Sequence, residues 1–495
     1  MKRMLYLSCL SCLVCLVCLL PACSGGALPE GTRSLHGPDL RPDYAGCVLP
    51  PNIAPPGFSF TKPETEGYAL LEGGGKSLKV KAGKGRFRIP AAAWKELLQG
   101  ARGKDVSVSV WARRRGEGWV SYAPFLFHVA EEPIDPWVAY RLIEPGYELW
   151  NRMGLYQRNL ENYTETPIIE NKMTGKNCMN CHSFRMQDPA SMLFHLRATY
   201  PATLVVNGQK IEKLNTQTPH TISALVYPSW HPSGRFVAFS VNQTKQAWHH
   251  NDPNRVEVFD EASDVVVYDL ERHEIITTPS LFSAGAFETF PTFSPDGKRL
   301  YFCSAPAQPM PQSFREVRYS LCSLAFDPLS GVFGSEVDTL WQASAGGRSA
   351  SFPRVSPDGK FLLYTLSGYG NFSIWHKDAD LQLMDLSSGA NLAADALNSE
   401  EVDSYHSWSS NSRWVIFSSR RLDGLYTRLF IAYIDREGKA SKPFVLPQKD
   451  TDFYHRFMKS YNIPEFITGK VTVSARRLAL KARNDPGINP TFSLR

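Results

Sequence analysis

The chain has no concentrated charge of either sign and no run of lysine and arginine. Its 54 basic against 48 acidic residues leave +6 over 495 positions, too mild a balance to cover a phosphate backbone, which sets nucleic acid aside as a partner. Past the first 23 residues no stretch reaches the roughly 18 apolar residues that a spanning helix needs. No Gly-x-Ser-x-Gly occurs, so a hydrolase nucleophile elbow is excluded. There is one Cys-x-x-Cys outside the N-terminal segment and no second pair to complete a zinc ribbon.

What the N-terminus does carry is a basic start, Lys2-Arg3, an apolar stretch from Met4 to Leu20, and then Leu20-Pro21-Ala22-Cys23. This resembles the lipobox of bacterial lipoproteins, with Pro21 as a departure from the usual residue. The resemblance implies a signal peptide over 1–22, acylation of Cys23 and a membrane held through the N-terminal lipid. Ser24 in place of Asp points to the periplasmic side of the outer membrane of a Gram-negative cell, with surface exposure as the alternative. Four of ten cysteines (9, 12, 15 and 18) leave with that peptide. Cys303 and Cys322 fall on two strands of one repeat, either as a disulfide or as buried thiols.

Residues 23–43, rich in Gly and Pro, read as a tether. From 44 to 132 period-two segments at 77–82, 105–111 and 119–125, interrupted by a short helix at 91–98, predict a small β-sandwich. Residues 133–200 read as a helical segment, with helices over 140–159 and 191–198.

From 227 a repeat sets in: Tyr227-Pro-Ser-Trp-His-Pro-Ser-Gly234, Phe290-Pro-Thr-Phe-Ser-Pro-Asp-Gly297, Phe352-Pro-Arg-Val-Ser-Pro-Asp-Gly359 and Tyr405-His-Ser-Trp-Ser-Ser-Asn-Ser412. Each is a strand, a tight turn and a second strand. A further hairpin follows each one, closing on aspartates 269, 327, 385 and 435, which lie 58, 58 and 50 residues apart. Four strands per unit at that spacing predict a β-propeller. The Ser-Pro-Asp-Gly-Lys turn resembles the propeller of TolB, which implies a TolB-like propeller over 201–450. Residues 204–216 supply the outer hairpin of another blade, for five or six in all, and 451–495 form a C-terminal extension. The fold class is mainly β.

The motif with chemistry is Lys176-Asn-Cys178-Met-Asn-Cys181-His182-Ser-Phe184. On a helix, 178, 181 and 182 share one face. Two thiols there can add to the vinyl groups of one haem c while His182 ligates the iron. A redox dithiol and a zinc site are the competing readings. Met192 and His195, read as one face of the next helix, are the candidate distal ligands, with an open site as the third option.

A second group lies on propeller loops: His249, His250, His376 and His406, with Glu288, Asp403 and Arg420 on the same rim. Loop rims of any propeller are polar, and histidines converging there would make a metal site. The expectation is therefore a lipid-anchored monohaem cytochrome fused to a propeller. It would serve one-electron transfer or redox-linked binding of an envelope protein, with its oligomeric state open. The alternatives are an oxidoreductase resembling nitrite or nitrous oxide reductase, with a metal on the histidine rim, and a TolB-like scaffold with a structural haem. Whether the protein is an enzyme stays open, with a carrier favoured over a catalyst.

Overall fold

A computed structural model describes residues 28–62, 66–114, 116–145 and 151–495. The expected signal peptide, Cys23 and the start of the expected tether lie outside these.

The N-terminal domain is β, as its alternation predicts. Glu66–Gly73, Lys76–Lys81, Lys104–Arg113 and Phe125–Val129 lead a seven-stranded sheet, beside a three-stranded one. The helix Ala91–Gly100 buries Trp94, Leu97 and Leu98 against the same core. That core continues into Trp414, Ile416 and Leu429 of the propeller, so the domain is packed onto the blades.

Five four-stranded sheets and one five-stranded sheet follow among the described residues. Their innermost strands are Cys178–Phe184, Leu225–Trp230, Ala286–Phe293, Ser349–Val355, Asp403–Trp408 and Ser460–Ile467, which we number blades 1 to 6. Each inner strand touches the next, and blade 6 returns to blade 1, so the ring is closed. The chain is a six-bladed β-propeller.

Blade 6 is built from both ends of the chain. Its inner strand Ser460–Ile467 pairs with Trp137–Ile143, which continues to Met153–Asn159 and Glu165–Glu170. Closure with mixed ends removes the exposed edges that an open sheet would leave. The last strand, Thr491–Leu494, adds in parallel to the outer edge of blade 2.

The expected turn chemistry holds. The closing aspartates each accept the backbone N–H two residues on, Asp269 from Glu271, Asp327 from Leu329, Asp385 from Ser387 and Asp435 from Glu437, at 2.8–3.0 Å. Gly297 and Gly359 take φ of 73° and 74° in the hairpins, and Ser412 takes 61° in blade 5.

Two expectations need correction, and one left open is decided. Residues 133–200 are not a helical segment: the described residues among them form five strands and two short 3-10 turns. The run Trp137–Ile143 is apolar almost throughout, and period alone does not separate a fully buried strand from a helix. The propeller consequently begins at 137 rather than 201, and 451–495 contributes an inner strand. Finally, Cys303 and Cys322 are free thiols on adjacent strands, facing opposite sides of blade 3 in two different cores.

Candidate functional site

Each inner strand carries one residue in the left-handed region at the same point: Cys181, Tyr227, Phe290, Phe352, Tyr405 and Ile463, with φ between 48° and 53°. The ladder shifts register there in every blade. Such a bulge re-aims a side chain and leaves the following N–H outside the ladder, where proline costs no hydrogen bond. The following residues are accordingly Pro228, Pro291, Pro353 and Pro464, with histidine at 182 and 406.

Cys181-His182-Ser183-Phe184 is therefore the blade 1 copy of the propeller repeat, matching Tyr405-His406-Ser407-Trp408. This was legible in the sequence by aligning the two, and the haem-motif reading hid it. The segment is a strand, not a helix.

The bulge residues form a plug across the channel. Phe290 stacks on Phe352 at 3.9 Å between centroids, with Tyr227 and Tyr405 edge-on at 4.6 and 4.5 Å. Cys181 and Ile463, in neighbouring blades, are its two small members. Above the plug opens a funnel of about 620 Å³, bordered by Cys181, Asn180, Tyr227, Tyr405, Trp375 and the basic residues Arg141, Arg197, Lys245, Arg255 and Arg420. Below it is a void of about 30 Å³ bordered by Cys181, His182, His406 and Glu465.

His182 is buried, and its ring faces the backbone of Ile463, the bulge residue of the preceding blade, as His406 faces that of Phe352. His182 Nε2 lies 3.8 Å from Glu465 Oε1, and the other oxygen of Glu465 accepts the Phe184 N–H at 3.0 Å. Burial holds His182 neutral, pushed down to about 3, and raises Glu465 to about 7. A neutral imidazole is the form that ligates a metal. Cys181 is buried, its thiol raised by burial, and Cys178 is half-buried three residues earlier on the strand. Two thiols and an imidazole are the residue types that hold a covalent haem; of the three, only Cys181 borders the large funnel, and His182 borders the small void beneath the plug.

The candidate distal ligands are not placed as a pair. Three residues apart on the strand Ser191–Arg197, they face opposite sides. Met192 is core beside Phe194 and Leu196, and the buried His195 meets Thr203 Oγ1 through Nδ1 at 3.2 Å. No histidine or methionine lines the funnel among the described residues.

The rim histidines do not converge either. His376 is buried against Glu257, Nε2 to Oε2 3.3 Å, and His406 lies in the channel with Nε2 donating to Leu363 O at 2.8 Å. His249 and His250 sit on the hairpin crest of blade 2, the latter exposed. No group of three metal-ligating side chains occurs among the described residues.

No protein-family model matches the chain, and no curated protein matches it. Among solved structures it is similar to TolB from Acinetobacter baumannii (14% identity, TM-score 0.41, 76% of this chain and 85% of that one). It is also similar to a Synechocystis apocarotenoid oxygenase variant (12%, 0.37, 82% and 92%). A third neighbour is the propeller domain of the Trilobed protease from Pyrococcus furiosus (10%, 0.34, 68% and 82%). These are distant likenesses. The propeller rests on its own six sheets.

Proposed function

We propose that the chain is a lipid-anchored, haem-bearing propeller of the bacterial cell envelope, passing single electrons or coupling redox state to the binding of a protein partner. Cys178 and Cys181 would hold one haem c through thioethers, and His182 would be the protein's ligand to its iron. The observation that carries this is the contrast at one repeat position: buried His406 spends Nε2 on the Leu363 carbonyl at 2.8 Å, whereas buried His182 makes no such bond and faces only the Ile463 backbone and the Glu465 carboxyl.

When bound, the haem supplies one-electron redox chemistry. The chain's own residues do the rest. Burial keeps His182 neutral, and the Glu465 carboxyl lies 3.8 Å from its Nε2. Lipid on Cys23 would keep the propeller at a membrane surface. Among the described residues no helix is long and apolar enough to cross one.

The test is the absorption spectrum, oxidised and reduced, of protein made in cells with haem-attachment machinery, together with the mass of the peptide spanning 178–182. One haem on that peptide is the expected result. Protein that folds and carries none overturns the reading.

A further inference from the structure

We propose that the funnel above the plug is a seat for carboxylates, gripped by Arg141 and Arg420. Both guanidinium groups have a buried Nε without a hydrogen-bond partner, and Arg420 is 91% buried, being 9% exposed. Its plane lies 3.7 Å from the centre of the Trp375 ring, which fixes its orientation at the wall. Arg141 is tethered from the other side, Nη1 donating to Met179 O at 3.2 Å.

The rest of the wall agrees. Asn180 and Asn462 each keep a buried side-chain oxygen unpartnered, and an amide can turn its NH₂ toward an anion in the same place. Glu144 is the single acid among the described lining residues, and Lys459 already pairs with it at 2.9 Å. The exposed Arg197 and Arg255 add positive charge to the lining, without an ion pair among the described residues. Several cations with unclaimed donors around one cavity leave a deficit that an oxyanion fills. The planar guanidinium favours carboxylate, which it can take with two parallel bonds. The aromatic floor of Tyr227 and Tyr405 suits an organic body rather than a bare inorganic ion.

Two sources offer that chemistry: the propionates of the haem under the preceding proposal, and a diffusible organic acid. The seat itself stands without the haem. Citrate is the probe, titrated by calorimetry at low ionic strength into the wild-type chain made without haem-attachment machinery, with tryptophan fluorescence following Trp375. Saturable binding is expected, at least tenfold weaker in Arg420→Gln and in Arg141→Gln. No binding, or binding indifferent to both substitutions, overturns the seat.

In haem-loaded protein, loss of citrate binding assigns the seat to the propionates, and retained binding assigns it to a free acid. If the haem-free chain does not fold, the loaded protein decides. There Arg420→Gln must either weaken citrate or shift the haem's midpoint potential, and the absence of both changes overturns the proposal. A preparation that never takes up haem sinks the previous reading and leaves the citrate titration standing.

Discussion

Blades 1 and 5 are the two neighbours of the closing blade, and they carry the same four-residue pattern on the same bulge. Cys181-His182-Ser183-Phe184 and Tyr405-His406-Ser407-Trp408 share a left-handed first residue, φ 53° and 49°, and a histidine where the other blades have proline. They differ in what the side chains have to do. Tyr405 completes the aromatic plug and His406 hydrogen-bonds Leu363 O. Cys181 puts a small thiol where Tyr405 puts a ring, and His182 makes no bond like that of His406 to Leu363 O. The repeat thus accounts for the backbone at both sites and for the histidine's burial. It does not account for two thiols, nor for the bond that His406 makes and His182 lacks. Chemistry on a repeat fold is read from where one copy departs from the others.

The comparison breaks most sharply at the thiols. Cys178→Ala with Cys181→Ala is expected to abolish covalent haem altogether, read by denaturing electrophoresis with haem staining, while Tyr405→Ala retains it. Haem that survives the double substitution removes the thiols' claim to function. Next comes His182→Pro. Proline already follows the bulge in four blades, so this change should keep the fold, with Tm within a few degrees of wild type, and remove the iron's ligand. The expected readout is a change of spin state in the absorption spectrum at unchanged far-UV circular dichroism. An unaltered spectrum would place the ligand elsewhere.

How much of this was legible follows from turn chemistry. Blades 2 to 5 announce themselves because Pro-Ser-Gly, Pro-Asp-Gly and Ser-Asn-Ser hairpins recur at nearly fixed spacing. Blade 1 lacks that turn: Arg185-Met186-Gln187 takes its place, with Met186 and Gln187 at φ 46° and 58°. The Cys-x-x-Cys-His spacing also suggests a helix, which the repeat overrides. Blade 6 could not be read locally, since Ser460–Ile467 finds its partner at Trp137–Ile143, over 300 residues earlier. The thiols and His182 were visible as a motif. The funnel was not, because Arg141, Arg197 and Arg420 come from three blades and share no sequence pattern.

The same repeat position extends the comparison to a third blade and to pH. Two residues before the bulge stand Asp403 in blade 5 and Glu288 in blade 3, both buried. Asp403 is paired with Arg421 at 2.6 Å. Glu288 has one oxygen without a partner, and burial, then the charge of Asp264, raises it from 4.5 to about 8. A carboxyl raised in the fold favours the native state while protonated, so its contribution is complete below about pH 4.5 and is lost as pH climbs through 8. At about 1.4 kcal/mol per pKa unit, the loss is on the order of a few kcal/mol. Glu288→Gln should flatten the fall in Tm between pH 5 and 9 more than Asp403→Asn does, because Asp403, also raised by burial, is countered by Arg421. A wild-type Tm independent of pH over that range would contradict the burial of Glu288.

His406→Pro should have the smallest effect and is the closest control for His182→Pro. It deletes one hydrogen bond to Leu363 O, worth about 1 kcal/mol, and also removes a buried Nδ1 that has no partner. The backbone at 406 lies at the bulge, outside the ladder between Ser404 and Ser407, so proline there takes no strand hydrogen bond. Stability should therefore move by about 1 kcal/mol, and the haem spectrum should not move. The spectrum is the more informative reading, because His406 and His182 border the same small void beneath the plug. A spectral change in His406→Pro would mean that the two histidines act on one group. The repeat's structural account of His406 would then fail, and blade 5 would join blade 1 as part of the site.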